Sequence, residues 1–155
     1  MNRFNGKPSR VILHCAATPD YIEGDEHFDR FGVKDVFNWH RQRGFSDVGY
    51  HFVIRRTGVI ELGRPLEYMG AHAKGNNHDS IGVCYIGEKE PTKDQLKSLL
   101  NVYRVARQKY GIEFSDWFGH GELDHKKPYC PGFSMTLFRK LLEVYHNGLI
   151  TGIEN

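Results

Sequence analysis

The chain has 155 residues, with 21 Lys and Arg against 19 Asp and Glu for a formal net charge of +2. That length fits one domain burying roughly two thirds of its unfolded surface in a single core. The charges are spread without a long run of either sign, which does not specify nucleic acid although it suits an anionic polymer, and no apolar stretch approaches the roughly 20 residues needed to span a bilayer.

Residues 1–9 read as a flexible polar arm containing Gly6 and Pro8. Its composition lacks the apolar core of a secretory signal, so a protein made and folded in a reducing cytoplasm is expected. Residues 10–17 predict a strand, because Val11, Ile12, Leu13 and Cys15 form an apolar run too short for a helix. Residues 18–31 turn polar and acidic and predict a loop with room for one helical turn. Val33, Val36, Phe37 and His40 recur at spacings of three and four, with Trp39 beside them, and predict an amphipathic helix that Gly44 stops.

Residues 50–56 and 59–62 then predict a hairpin, with Thr57-Gly58 supplying the tight turn. A Gly-, Asn- and His-rich stretch, G-A-H-A-K-G-N-N-H-D, predicts a surface loop of the kind that carries binding groups. Residues 80–86 predict another buried strand. Pro91-Thr92 opens the longest predicted helix, where Thr92 and Gln95 have capping-box spacing and Leu96, Leu99, Leu100, Tyr103 and Ala106 form the apolar face up to Gly111. Ser134 is the N-cap expected for a last helix with Leu137, Phe138, Leu141, Leu142 and Tyr145 inward, ended by Gly148; residues 149–155 read as a tail. Strands and helices intermix, so the predicted fold is α/β of the α+β type: a single domain over residues 10–148 with a central mixed sheet flanked by helices.

The chemistry concentrates in W-F-G-H-G-E-L-D-H-K-K-P-Y-C-P-G-F, residues 117–133. His120, His125, Lys126, Lys127 and Cys130 stand there among glycines and prolines, a composition suited to a ligand-presenting loop. Imidazole nitrogen and thiolate sulfur suit zinc, and a third ligand is expected from His14 at the end of the first strand. His14, His120 and Cys130 would leave a fourth position free, the arrangement of a catalytic zinc and a pointer to hydrolysis; His125 is the competing ligand within the loop. Cys15 and Cys84 sit in apolar runs and read as packing thiols, with no disulfide framework. Trp39 and His40 read as packing residues on their helix.

Four motifs in order, L-H-C-A-A-T, D-V-G-Y-H-F-V-I, A-H-A-K-G-N-N-H-D-S-I-G-V-C and the H…C-P-G-F segment, resemble the zinc-dependent N-acetylmuramoyl-L-alanine amidases. The resemblance runs over roughly residues 11–142, is nearest to small phage lysozymes that are amidases, and extends to peptidoglycan-recognition proteins as distant kin. It implies one zinc per chain held by His14, His120 and Cys130. It also implies a catalytic tyrosine at Tyr50, with His51 on the other face of the strand, and a substrate-binding pair at His72 and Asn77. Close phage relatives carry a lysine two residues before the cysteine. Here that position is Pro128, so Lys127 is the candidate catalytic lysine and Lys126 the alternative.

The implied reaction is hydrolysis of the amide between N-acetylmuramic acid and L-alanine in peptidoglycan. The expected actor is a monomeric phage endolysin that accumulates in the host cytoplasm, binds neither nucleic acid nor membrane, and reaches the cell wall after release. Three other readings stay open: a peptidoglycan-binding module, a muropeptide-recycling amidase and a polymerase regulator. Some relatives bind peptidoglycan without cutting it, typically after losing a metal ligand, and a cytoplasmic amidase could instead recycle muropeptides. Some phage lysozymes of this type also bind and inhibit a viral RNA polymerase, which makes such a polymerase a further partner that the resemblance implies.

Overall fold

The computed structural model describes residues 1–154; Asn155, the last residue of the expected tail, lies outside the described residues. In chain order the elements are β1 (Arg10–Cys15), α1 (Val33–Gln42), β2 (Phe52–Ile54), β3 (Ile60–Leu62), β4 (Ser80–Tyr85), α2 (Lys93–Tyr110), β5 (Trp117–Gly119), α3 (His120–Leu123) and α4 (Met135–His146). The strands form one sheet in the order β3-β2-β4-β1-β5. β1 runs parallel to β4 and β5, β2 runs parallel to β4, and only the β2–β3 hairpin is antiparallel. The sheet is therefore mixed, as the sequence predicts.

Alternation along the strands decides which side chain meets which layer. Val11 and Leu13 of β1, Phe52 and Ile54 of β2, and Ile81, Val83 and Tyr85 of β4 pack with Leu99, Leu100, Val102, Tyr103 and Ala106 of α2 and with Phe138 and Leu142 of α4. Val53 faces the other way, into a smaller cluster with Val36, Val48 and Ile86. His14 has the opposite parity to Leu13 and pairs in register with Cys84, so it points away from the main core while remaining buried.

The helix ends follow their signals. Thr92 and Gln95 form the capping box, and α2 closes at Gly111 with φ +70°. Ser134 accepts from the Leu137 amide to start α4.

Three expectations change. Residues 117–133 are not all loop: residues 117–119 pair with β1, and His120 opens a helical turn, because Trp117 contributes a fully buried indole that anchors the edge of the sheet. Leu137 does not face inward but is 72% exposed. The buried face of α4 runs Met135, Phe138 and Leu142, and Leu137 lies about 100° around the helix from Phe138. Of the arm expected over residues 1–9, residues 2–4 pair with residues 67–69: the Phe4 amide donates to the Glu67 carbonyl at 3.1 Å, the Met69 amide donates to the Asn2 carbonyl at 2.8 Å, and the Phe4 ring stacks on His51.

Candidate metal centre

β1 carries His14 to the C-terminal end of the sheet, where it is 1% exposed. His120 arrives from the neighbouring strand: β5 ends at Gly119 and α3 begins at His120, so the edge strand and the helical turn fix that ring next to His14, with centroids 4.5 Å apart. Cys130 comes from the loop before α4, and its carbonyl accepts from the Gly121 amide at 2.7 Å, which ties the loop to the turn bearing His120. The ligand atoms of His14, His120 and Cys130 all lie within 4.8 Å of one another.

This donor set fits a tetrahedral ion. Zn–N and Zn–S bonds of about 2.0 and 2.3 Å subtend an N···S edge of roughly 3.6 Å, and Nδ1 of His14 stands 3.9 Å from Sγ of Cys130. That edge needs only a few tenths of an ångström of closure. His125 is exposed and, among the described residues, lies outside this cluster.

The electrostatics keep the imidazoles neutral and able to donate lone pairs. Burial holds His14 well below the usual histidine range, and the neighbouring His72, His120 and His40 push the same way. His120 is lowered by burial and further by the Lys127 ammonium, against an opposing pull from Asp124. The thiols of Cys15 and Cys130 influence each other strongly, so that one of the pair ionises below the usual thiol range while the other is held protonated. Cys15 is thus a neighbour of the centre, not only the packing thiol that its apolar context suggests.

The remaining candidates divide between the site and its supports. Tyr50 precedes β2, its ring lies 5.0 Å from that of His14, and burial, followed by nearby Cys84 and Cys130, raises its phenol well above the usual range. It is therefore a hydrogen-bond donor at neutral pH. Lys127 and Lys126 are both exposed on the ligand loop, and the Lys127 ammonium is among the charges that lower His120. His72 and Asn77 do not line the groove beside Cys130. His72 Nδ1 lies 2.9 Å from Nε2 of His14, and Asn77 Oδ1 accepts from the amides of His72 and Ala73 at 3.0 and 2.9 Å, so both shape the support behind His14. That groove, of about 660 Å³, runs between Glu88–Lys89 and residues 128–136.

Two supports escape sequence reasoning. His40 is a packing residue by its helical spacing, yet its Nδ1 accepts from the Gly49 amide at 2.7 Å and fixes the backbone next to Tyr50. His51 accepts from the Gly82 amide through Nδ1 at 3.0 Å and reaches the Tyr68 carbonyl through Nε2 at 2.7 Å, joining β4 to the loop after β3. Neither carries a local signal, since all three bonds join separate segments of the chain.

Comparison with known proteins agrees with this geometry. The sequence pattern of the N-acetylmuramoyl-L-alanine amidases matches residues 4–133. The endolysin of Klebsiella phage KP32 is 42% identical over 131 residues, 82% of each chain. The amidase LysC from Clostridium intestinale superimposes with a TM-score of 0.75 at 29% identity, over 90% of this chain and 87% of that one. Drosophila peptidoglycan-recognition protein LB does so with a TM-score of 0.70 at 25% identity, over 99% and 89%. With the family pattern spanning the sheet, the His-His-Cys cluster and the loop that carries the cysteine, the chain belongs to the N-acetylmuramoyl-L-alanine amidase family.

Proposed function

We propose that this protein is a zinc-dependent amidase that hydrolyses the bond between N-acetylmuramic acid and L-alanine in peptidoglycan, and that it serves as a phage endolysin. The observation that carries the reading is the convergence of His14, His120 and Cys130 from a buried strand, a helical turn and a loop, a set of two nitrogens and one sulfur with room for a fourth position. When bound, zinc supplies a Lewis acid for a carbonyl oxygen and makes water more acidic.

The chain's own groups supply the rest. Tyr50, held neutral beside His14, can donate a hydrogen bond to orient a water or pass a proton. The Lys127 ammonium, whose charge acts on His120, is the group assigned to offset oxyanion charge, with Lys126 the alternative. The groove beside Cys130 is the natural seat for the stem peptide. Kinship with phage endolysins supports action on the wall after release from the cytoplasm where the protein is made. The domain is read as residues 10–148, acting as a monomer with one zinc.

Mass spectrometry of purified peptidoglycan digested with and without chelator tests this. Free peptides beginning at L-alanine, lost on chelation and restored by zinc, are the expected result. Intact glycan with protein still bound would turn the reading into a recognition module.

A further inference from the structure

The nitrogen of His14 that faces Cys130 is Nδ1, so Nε2 points away from the ligand cluster and meets Nδ1 of His72 at 2.9 Å. A neutral histidine that ligates through one nitrogen carries its proton on the other. Nε2 of His14 is then the donor and Nδ1 of His72 the acceptor. That leaves His72 protonated at Nε2, which lies 3.3 Å from the Ser80 hydroxyl, and the hydroxyl donates onward to the Asn76 carbonyl at 2.6 Å. Each donor meets one acceptor, and every bond runs away from the ligands.

We propose that His72 and Ser80 form a relay of hydrogen bonds that fixes the tautomer and ring orientation of His14, making them positioning residues for the metal centre. The relay is built into the fold. The His72 ring lies over Gly82 on β4, where a Cβ would come within 2.5 Å of it, so only glycine at that strand position admits the ring. The segment that holds the relay is fixed by Arg10, which donates to Asn76 Oδ1 and Asp79 Oδ1, both at 2.8 Å. Ser80 is fully buried at the start of β4. Outer partners of metal-bound histidines are usually carboxylates or backbone carbonyls; here an imidazole and a hydroxyl carry the bond to a carbonyl two steps away.

This inference rests on the reading of His14 as a zinc ligand, and the experiment separates the two. Zinc affinity is measured by competition with a chromophoric chelator for wild type, His72→Ala, His72→Gln and Ser80→Ala, together with the visible spectrum of the Co2+-substituted proteins. The expected result is roughly 10- to 100-fold weaker zinc binding for His72→Ala, with a changed cobalt ligand-field spectrum but retained thiolate charge transfer. Partial rescue by His72→Gln, whose carbonyl oxygen accepts the same proton, and a smaller loss for Ser80→Ala are expected alongside. Wild-type affinity and spectrum in His72→Ala would overturn the relay alone. A wild type that takes up no zinc would overturn the metal reading and the relay with it. If His72→Ala fails to fold, histidine 15N shifts of zinc-loaded wild type decide: protons on Nε2 of both His14 and His72 are expected, and a proton on Nδ1 of His72 overturns the proposal.

Discussion

Glu122 and Arg139 form a two-pronged ion pair, with guanidinium nitrogens 2.7 and 2.9 Å from the two carboxylate oxygens, and this pair clamps the helical turn bearing His120 onto α4. The same carboxylate accepts from the Gly119 amide at 2.9 Å, and Arg139 also donates to the Trp117 carbonyl at 3.0 Å, so the clamp reaches the edge strand from which His120 emerges.

Arg139→Ala should therefore loosen the metal site as well as the fold. Solvent screening limits such a pair to about 1 kcal/mol, or roughly 2–4 °C in melting temperature for a chain of this size. Arg139 holds the Glu122 carboxyl below its usual range, so the stabilisation is present above the unfolded carboxyl pKa and is lost as pH falls through the folded value. Calorimetric melts of wild type and variant at neutral and acid pH should differ at neutral pH and converge in acid. A variant that melts like wild type at neutral pH would show that the clamp adds nothing.

His40 titrates in the opposite sense from a salt-bridged histidine. Burial, reinforced by Arg43 and Arg64, holds it down to about 4. The unfolded chain thus binds a proton near pH 6.5 that the folded chain refuses. Stability from this group is complete above pH 6.5 and falls by up to about 3 kcal/mol towards pH 4. Denaturant titrations of wild type and His40→Asn should show a shallower acid loss in the variant, and equal slopes would contradict the assignment.

Gly132 has φ +93°, and a Cβ there would lie 1.7 Å from the Glu88 carbonyl oxygen. No side-chain adjustment relieves a clash with backbone. Gly132→Ala is expected to cost at least about 1–3 kcal/mol and to displace the loop carrying Cys130, lowering zinc content measured by atomic emission on the purified protein.

The two lysines should separate cleanly. Lys127→Ala is expected to lower turnover of peptidoglycan on the order of 10²-fold, the usual loss for one oxyanion-stabilising group, while leaving zinc content unchanged; Lys126→Ala should stay near wild type. Reversal of that order would move the role to Lys126.

Gln95 offers a stability test far from the metal. Its amide makes all four of its bonds: Nε2 donates to the Ile54 and Ile86 carbonyls at 3.2 and 2.8 Å, and Oε1 accepts from the Thr92 amide and Arg56 at 2.9 and 3.1 Å. Gln95→Ala removes one of the donors to each of two carbonyls, which keep the Ile86 amide and Arg56 as their other partners, and one acceptor from a buried guanidinium, for an expected loss of about 2–4 kcal/mol by urea unfolding. A loss near 1 kcal/mol, the value of the helix cap alone, would mean that water replaces the bridge.

The sequence by itself determined most of the elements and the candidate ligand triad, because both are written in local terms. Apolar runs and spacings of three and four mark β1, β4, α1 and α2, and the donor chemistry of His14, His120 and Cys130 marks a metal set before their distance is known. It also carried half of Gln95, whose spacing from Thr92 announces a capping box. Only the tertiary structure decided the other half, the bridge from α2 to the ends of β2 and β4. In the same way it set His72 and Asn77 into the support behind His14, brought Cys15 beside Cys130, gave His40 the Gly49 amide, and turned Leu137 outward. Each of these depends on which segments the sheet order sets side by side, and contacts between residues far apart in the chain leave no periodicity for a sequence to display.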